Sequence, residues 1–263
     1  MSSGEATAKT QEQIEGMRAS SCVLVGALDL LDSEVGPGVT TERLNRIADE
    51  YIRDHGGIPS FLGVPAGSPG VDPFPGSICA SANDVIVHGI PTGIALKEGD
   101  IISVDCGVIL DGWHSDSAIT VAVGKVDAEA DRLIATTRDA LQAAIAAAQP
   151  GNRLGDIGAA VQQLVEDAGF SVVRRFVGHG IGQSMHEAPQ VPNFGAAGTG
   201  EVLEVGTALA IEPMVNVGGP GVRFDNDGWT ARTADGSLSA HCEHTVVVGA
   251  HGPIVLTHRE GGA

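Results

Sequence analysis

The feature that most restricts how this chain can fold is an echo between its two halves. The pair Pro37-Gly38 is followed, sixteen and eighteen residues after the glycine, by Asp54 and Gly56. A second pair, Pro150-Gly151, is followed at the same intervals by Asp167 and Gly169. Between these markers the apolar positions match at an offset of 113: Leu44 with Ile157, Ala48 with Val161, Tyr51 with Leu164, Ile52 with Val165. Steps of three and four place such residues on one helix face, so each half holds an amphipathic helix opened after Pro-Gly and stopped at Gly. Two helices of this kind can look alike by chance, but a second echo accompanies the first. EGDIISVD (98–105) and VGTALAIE (205–212) each set a carboxylate six residues after a glycine, at the end of an apolar run. Two halves, each a helix feeding a strand that ends in an acid, predict a pseudo-twofold fold whose acids meet near the axis.

The remaining periodicity fills in the halves. Ile14, Met17, Val25, Leu28 and Leu31 predict a helix from about Gln11 to Ser33, and Thr40 or Thr41 can cap the next one. Further helices are expected at 128–148 and 154–168, the latter stopped by Gly169. Strand-like runs lie at 85–88, 101–109, 117–123, 171–177, 207–212 and 244–248, and the Gly-, Pro- and Ser-rich stretch 58–77 reads as a loop. Strands interleaved with helices argue for an α+β domain with a mixed sheet covered by helices. Residues 1–10 are polar and expected to be flexible, leaving 11–263 as one domain.

Composition excludes several classes of function. The 15 basic and 33 acidic residues give a net charge of −18, a field that repels nucleic acid and anionic membranes, so neither is expected as a stable partner. No apolar run approaches the ~20 residues of a membrane-spanning helix. The opening MSSGEATAKTQEQIEG has no basic segment followed by an apolar one, so no signal peptide is expected. Four cysteines without a C-x-x-C pair suit a reducing compartment, and the expected location is cytoplasmic.

Some of the acids stand where solvation cannot be their purpose. Asp105 interrupts the apolar run IISVDCGVI. The following Asp111-Gly112 is a strong two-residue hairpin signal, and such a turn sets Leu110 opposite Trp113, Gly107 opposite Asp116 and Asp105 opposite Ala118. Asp105 and Asp116 then share a face as diagonal neighbours about 7–8 Å apart at Cα, which disfavours joint ionisation unless cations lie between them. Glu212 closes TALAIE before Pro213, and Glu243 opens an apolar strand. Two divalent cations would neutralise four such acids, and oxygen ligands with one imidazole suit that pair. The loop GHGIGQSMHE (178–187) offers imidazoles at His179 and His186. Its glycines also suggest a phosphate loop, but a dinucleotide fingerprint needs a third glycine where Gln183 stands.

Asp105, Asp116, His179, Glu212 and Glu243, in the contexts VDCGVILDGWHSDSA, GHGIGQSMHEAPQV, AIEPM and SLSAHCEHTVVV, together with NDVIVHGIP and PGVTTERLNRIADEYIRDHG, resemble the methionine aminopeptidases of the pita-bread fold. The resemblance runs from about Gln11 to Val248, and the short interval between Glu212 and Glu243 is similar to the family's first type, which lacks a helical insertion there. It implies a curved, mostly antiparallel sheet with pseudo-twofold symmetry and helices on its outer face. It also implies two divalent metals (Mn, Fe(II), Co or Zn) held by those five residues, with Asp116 and Glu243 bridging, Asp105 on one metal, and His179 and Glu212 on the other. The water they activate would attack the first peptide bond, and Glu212 would shuttle its proton to the leaving amine. His186 would bond the substrate carbonyl or the tetrahedral oxygen, and His88 the departing nitrogen. The glycines of the 178–187 loop would let backbone pass close to metals and substrate.

The same resemblance places Cys79 and Trp229 in an apolar methionine pocket. Met185 stands where the family carries an aromatic residue, and the 58–77 loop is longer than the family's, so Phe61, Phe74 and Met185 are the candidates to complete the wall. Nascent polypeptides are the implied substrates, and a transient ribosome contact is left open, with the charge of −18 arguing against tight RNA binding. The rival readings are a prolidase or aminopeptidase P of the same fold, which normally carries an N-terminal domain, and a catalytically silent pita-bread binding protein, which usually lacks ligands.

Overall fold

A computed structural model describes residues 7–259. Four helices, α1 (Gln11–Glu34), α2 (Thr41–Asp54), α3 (Ala128–Ala147) and α4 (Leu154–Asp167), alternate with strands. In the first half these are β1 (Ile58–Pro59), β2 (Ile78–Ala82), β3 (Val85–Val87), β4 (Ile101–Leu110) and β5 (Trp113–Ala122). The second half adds β6 (Ser171–Val172), β7 (Gly178–Gly180), β8 (Glu187–Val191), β9 (Ala208–Ile211) and β10 (Met214–Asn216). It ends with β11 (Val222–Phe224), β12 (Ala231–Thr233), β13 (Ser239–His241), β14 (Glu243–Gly249) and β15 (Gly252–Val255). The main sheet runs β1-β4-β5-β14-β9-β7-β8, with β2 added beside β4 and β15 beside β14, and two three-stranded sheets flank it.

The helices begin where the sequence supplies caps. The Thr10 hydroxyl accepts from Gln13 N–H, Thr40 from Arg43 N–H, and the Asp127 carboxylate from Ala130 N–H. Of the ten residues expected to be flexible, the first six lie outside the described residues. Lys9 is fixed, its backbone N–H on the Gly206 carbonyl and its ammonium 2.6 Å from Glu187.

The internal repeat holds to the level of single hydrogen bonds. Helices α2 and α4 are both 14 residues long and start 113 positions apart, and each buries its first, fourth, eighth and twelfth residues. Gly38 N–H donates to the Leu96 carbonyl as Gly151 N–H does to Leu203, and Gly99 N–H to Val123 as Gly206 N–H to Val248. By this correspondence β4 maps onto β9 and β5 onto β14.

Each half packs its own core on one side of the sheet. Ile102, Val104, Cys106 and Val108, alternate residues of β4, pack with Leu24, Leu28 and Leu31 of α1 and Leu44 and Ile52 of α2. In the second half Leu209, Ile211, Val246 and Val248 pack with Leu133 and Leu141 of α3 and Ile157 and Val161 of α4. Because side chains alternate along a strand, Ser103, Asp105 and Gly107 face the other way, as do Ala210 and Glu212. The sequence reading missed most strands of two to five residues (β1, β2, β7, β8, β10 to β13 and β15) and drew 171–177 as one strand where only Ser171–Val172 pairs.

Candidate metal centre and substrate cavity

The hairpin at Asp111-Gly112 has the register its turn chemistry demands. Both residues take positive φ, 49° and 81°, as a two-residue turn of this type requires. Leu110 pairs with Trp113, Gly107 with Asp116 and Asp105 with Ala118. Ala118 also pairs with Glu243 on β14, so Asp105, Ala118 and Glu243 form one row across three strands. In the next row, Asp116 is tied to Thr245, whose hydroxyl accepts from Asp116 N–H at 3.0 Å and donates to its carbonyl at 2.8 Å. Thr245 pairs with Ala210, and Ala210 with His179. Sheet register therefore gathers acids from both halves, with small residues left between them.

One ligand-type atom from each of Asp116, His179 and Glu243 lies within 4.8 Å of the other two, and the three residues are 4%, 8% and 2% exposed. Asp105 sits beside Asp116 and Cys79, both of which act on its carboxyl. Glu212 lies with Oε1 3.7 Å from His179 Nε2. The His179 ring nitrogen Nδ1 bonds the Gly180 carbonyl at 2.8 Å, which puts its proton there and leaves the Nε2 lone pair aimed at the acids.

Burial makes these acids hold protons when nothing else neutralises them. Burial pushes Asp105 up to about 7. Asp116, Glu212 and Glu243 are raised well above the ordinary carboxylate range, first by burial and then by one another's charge. Asp105 Oδ1, Asp116 Oδ1 and Glu243 Oε1 are buried without any hydrogen-bond partner. Buried unpaired carboxylate oxygens facing a neutral imidazole lone pair fit divalent cations.

The cluster forms the floor of a cavity of about 490 Å³ whose walls include Phe61, Phe74, Cys79, His88, Met185, His186 and Trp229. The structure thus brings every residue expected at the site to one place. The candidates Phe61 and Phe74 of the long 58–77 loop, and Met185, all line the cavity. Phe74 meets Trp229 edge-on with ring centres 5.2 Å apart, and Trp229 Nε1 donates to the Asp72 carbonyl at 2.9 Å. Phe61 and Met185 converge over Gly107, where a Cβ would come within 2.9 Å and 2.7 Å of them.

His88 and His186 occupy different walls. The His186 ring centre is 4.4 Å from that of His179, whereas His88 packs edge-on against Phe176 at 5.4 Å. His88 has positive φ, 59°, an unfavourable backbone for a residue with a Cβ that its surroundings must hold in place. Burial, then His186, lowers its pKa to about 4, and burial lowers that of His186, so both rings favour the neutral form.

Two findings add to the sequence reading. At the loop glycines Gly178 and Gly180 a Cβ would collide with the carbonyls of Ala210 on β9 and Ala188 on β8, and Gly178 also lines the cavity. These glycines permit close packing of the strands that carry His179. The second finding is His241, which the sequence reading passed over. It is 2% exposed, with Nε2 unpartnered and 3.7 Å from Glu212 Oε2, and burial followed by His88 lowers its pKa to about 3. The repeat was the available signal: Ala118 maps onto Glu243 at an offset of 125, and the same offset carries Asp116 onto His241.

The comparisons with known proteins agree with this geometry. A model of metallopeptidase family M24 matches residues 15–250. The methionine aminopeptidase of Clostridium perfringens (strain 13 / Type A) is 49% identical over 249 residues, which cover 95% of this chain and 97% of the relative. The chain belongs to the methionine aminopeptidases of family M24. The crystal structure of methionine aminopeptidase from Rickettsia prowazekii superposes with a TM-score of 0.92 at 40% identity, covering 96% of this chain and all of that one (100%). A prolidase from Pyrococcus furiosus, at 19% identity and a TM-score of 0.73, shares the pita-bread fold alone, and this chain covers 66% of it. Between Glu212 and Glu243 lie only the strands β10 to β13 and their turns, with no helix.

Proposed function

We propose that this aminopeptidase removes the N-terminal methionine of nascent polypeptides with a small second residue, in the cytoplasm, using two divalent metal ions held in a single catalytic domain, residues 11–263. The observation that carries the reading is the convergence of Asp105, Asp116, Glu212, Glu243 and His179 on the floor of an apolar cavity of about 490 Å³. A dry wall of Phe, Met and Trp side chains suits an unbranched thioether. No helix among the described residues is long and apolar enough to cross a membrane.

The five floor residues would hold the metals, and their unpartnered buried oxygens support that assignment. When bound, the ions would supply Lewis acidity, polarising the scissile carbonyl and lowering the pKa of the attacking water. Glu212 acts as the base. Its carboxylate takes a proton at one oxygen and returns it to the leaving amine. His186, neutral and beside His179, donates to the developing carbonyl oxygen, and His88, packed against Phe176 and Trp229, hydrogen-bonds the nitrogen of the breaking bond. The hydrophobic walls exclude bulk water from these groups.

The test is hydrolysis of Met-Ala-Ser by the chelated protein and by the same protein supplied with Mn(II), Co(II) or Fe(II). Release of free methionine only with metal is expected. An intact peptide under all conditions would remove the reading, and rapid cleavage of Xaa-Pro peptides instead would favour a prolidase-type activity.

A further inference from the structure

The strip that leads from the cavity floor to its rim runs backward along the chain from His179 through Gly178, Val177 and Phe176 to Arg175 and Arg174, all of which line the cavity. Both arginines are exposed. Arg174 is already engaged, 3.5 Å from Glu166 and with its guanidinium over the Phe194 ring at 5.3 Å. Arg175 has no hydrogen-bond or ion-pair partner among the described residues. The acids of the cavity do not neutralise it: four belong to the floor, and Glu187 is held by Lys9 at 2.6 Å.

We propose that Arg175 forms a downstream substrate subsite that takes a carboxylate. The inference rests on the aminopeptidase reading, because it supposes a peptide whose first residue is in the cavity and whose remainder leaves by the mouth. Arg175 lies four residues before His179, hence its backbone is at most roughly 14 Å away along the chain. A peptide extending at about 3.3 Å per residue from the scissile bond carries its third and fourth residues roughly 5 to 10 Å out, inside that limit and within reach of a long arginine side chain. The ligand is either an acidic side chain at that position or, in a tripeptide, the terminal carboxylate. An exposed guanidinium pairs with both, and preferentially through two parallel hydrogen bonds. Because the contact is remote from the reacting atoms, it stabilises ground and transition states alike and acts through KM.

The experiment uses the full chain loaded with Mn(II) and the amidated peptides Met-Ala-Ser-Glu and Met-Ala-Ser-Lys, with Met-Ala-Ser compared as free acid and amide. The parent protein should favour Glu over Lys by roughly two- to fivefold in kcat/KM, carried by KM and shrinking as salt is raised. Arg175→Gln should bring the ratio near one, and Arg175→Glu should invert it. A preference for Met-Ala-Ser acid over its amide that Arg175→Gln abolishes would identify the terminal carboxylate as a second source. A ratio near one in the parent protein, or one unchanged by Arg175→Glu, overturns the subsite alone. Failure to cleave any peptide overturns the aminopeptidase reading and the subsite with it.

Discussion

The acids of the metal centre make the stability of the metal-free protein depend on pH in a way that one substitution isolates. Asp105 has an ordinary pKa of 3.8, raised in the folded chain to about 7 by burial. Between those values the folded protein keeps a proton that the unfolded chain has released, so stability present at low pH is lost as pH rises through the window. The loss is about 1.4 kcal/mol per unit, and about 4 kcal/mol across the whole interval. The buried histidines work in the opposite sense. His88, His179 and His241 fall from 6.5 to about 4, 3 and 3, so the unfolded chain binds the extra protons and stability rises with pH up to about 6.5. The raw profile of the chelated protein therefore mixes two trends, and Asp105→Asn separates them. Urea denaturation of both proteins in EDTA, at intervals from pH 5 to 8, should show Asp105→Asn gaining on the parent by about 1.4 kcal/mol per unit, levelling above pH 7. Saturating Mn(II) should stabilise the parent and erase the gain. A difference between the two proteins that stays constant from pH 5 to 7 would refute the claim that Asp105 is held protonated by burial.

Three further outcomes follow from the same geometry. Glu212→Gln should lower kcat by about 10²- to 10⁴-fold, and a variant that keeps both its metal, measured by elemental analysis, and full turnover would rule out the proton shuttle. Gly107→Ala places a Cβ 2.7 Å from Met185 Cε and 2.9 Å from Phe61 Cε1; the displaced wall should raise KM for methionyl peptides and cost about 1–3 kcal/mol in a denaturation curve, and an unchanged KM would show that this wall does not touch the substrate side chain. His241→Leu removes one of the two imidazoles that flank Glu212 at 3.7 Å, so kcat should fall roughly tenfold and the visible spectrum of the Co(II) protein should change. His241→Gln, which keeps a donor, should restore most of both, and identical behaviour of the two variants would reduce His241 to a packing role.

What could be read from the sequence, and what could not, divides along a physical line. Features written by local chemistry were legible. Pro-Gly openings and Gly stops fixed α2 and α4, and the Asp111-Gly112 turn fixed a register that carried Asp105 and Asp116 onto one face. Glu243 and Glu212 stood out because apolar strands do not otherwise tolerate acids. The short strands were not legible because a run of three residues, such as Ser239–His241, has too little alternation to distinguish it from a turn, and its pairing is decided by neighbours far away in the chain. His241 was hidden for the same reason: a buried histidine in so short a strand is ordinarily structural, and only its place across from Glu212 gives it a further meaning. The pocket wall could be read only as candidate residues, since Phe61 and Phe74 come from a loop whose Gly and Pro content announces turns but not where the loop folds back. The repeat could have recovered His241, since the residue mirrors Asp116 across the pseudo-twofold axis. In one half that position carries an acid of the floor, and in the other an imidazole. A duplicated half-site has thus diverged into unequal donors, which gives one acid neighbour, Glu212, imidazoles on both sides while Asp105 has none at that distance. Under the proposed mechanism, that asymmetry would suit Glu212, and not its symmetry mate Asp105, to serve as the base.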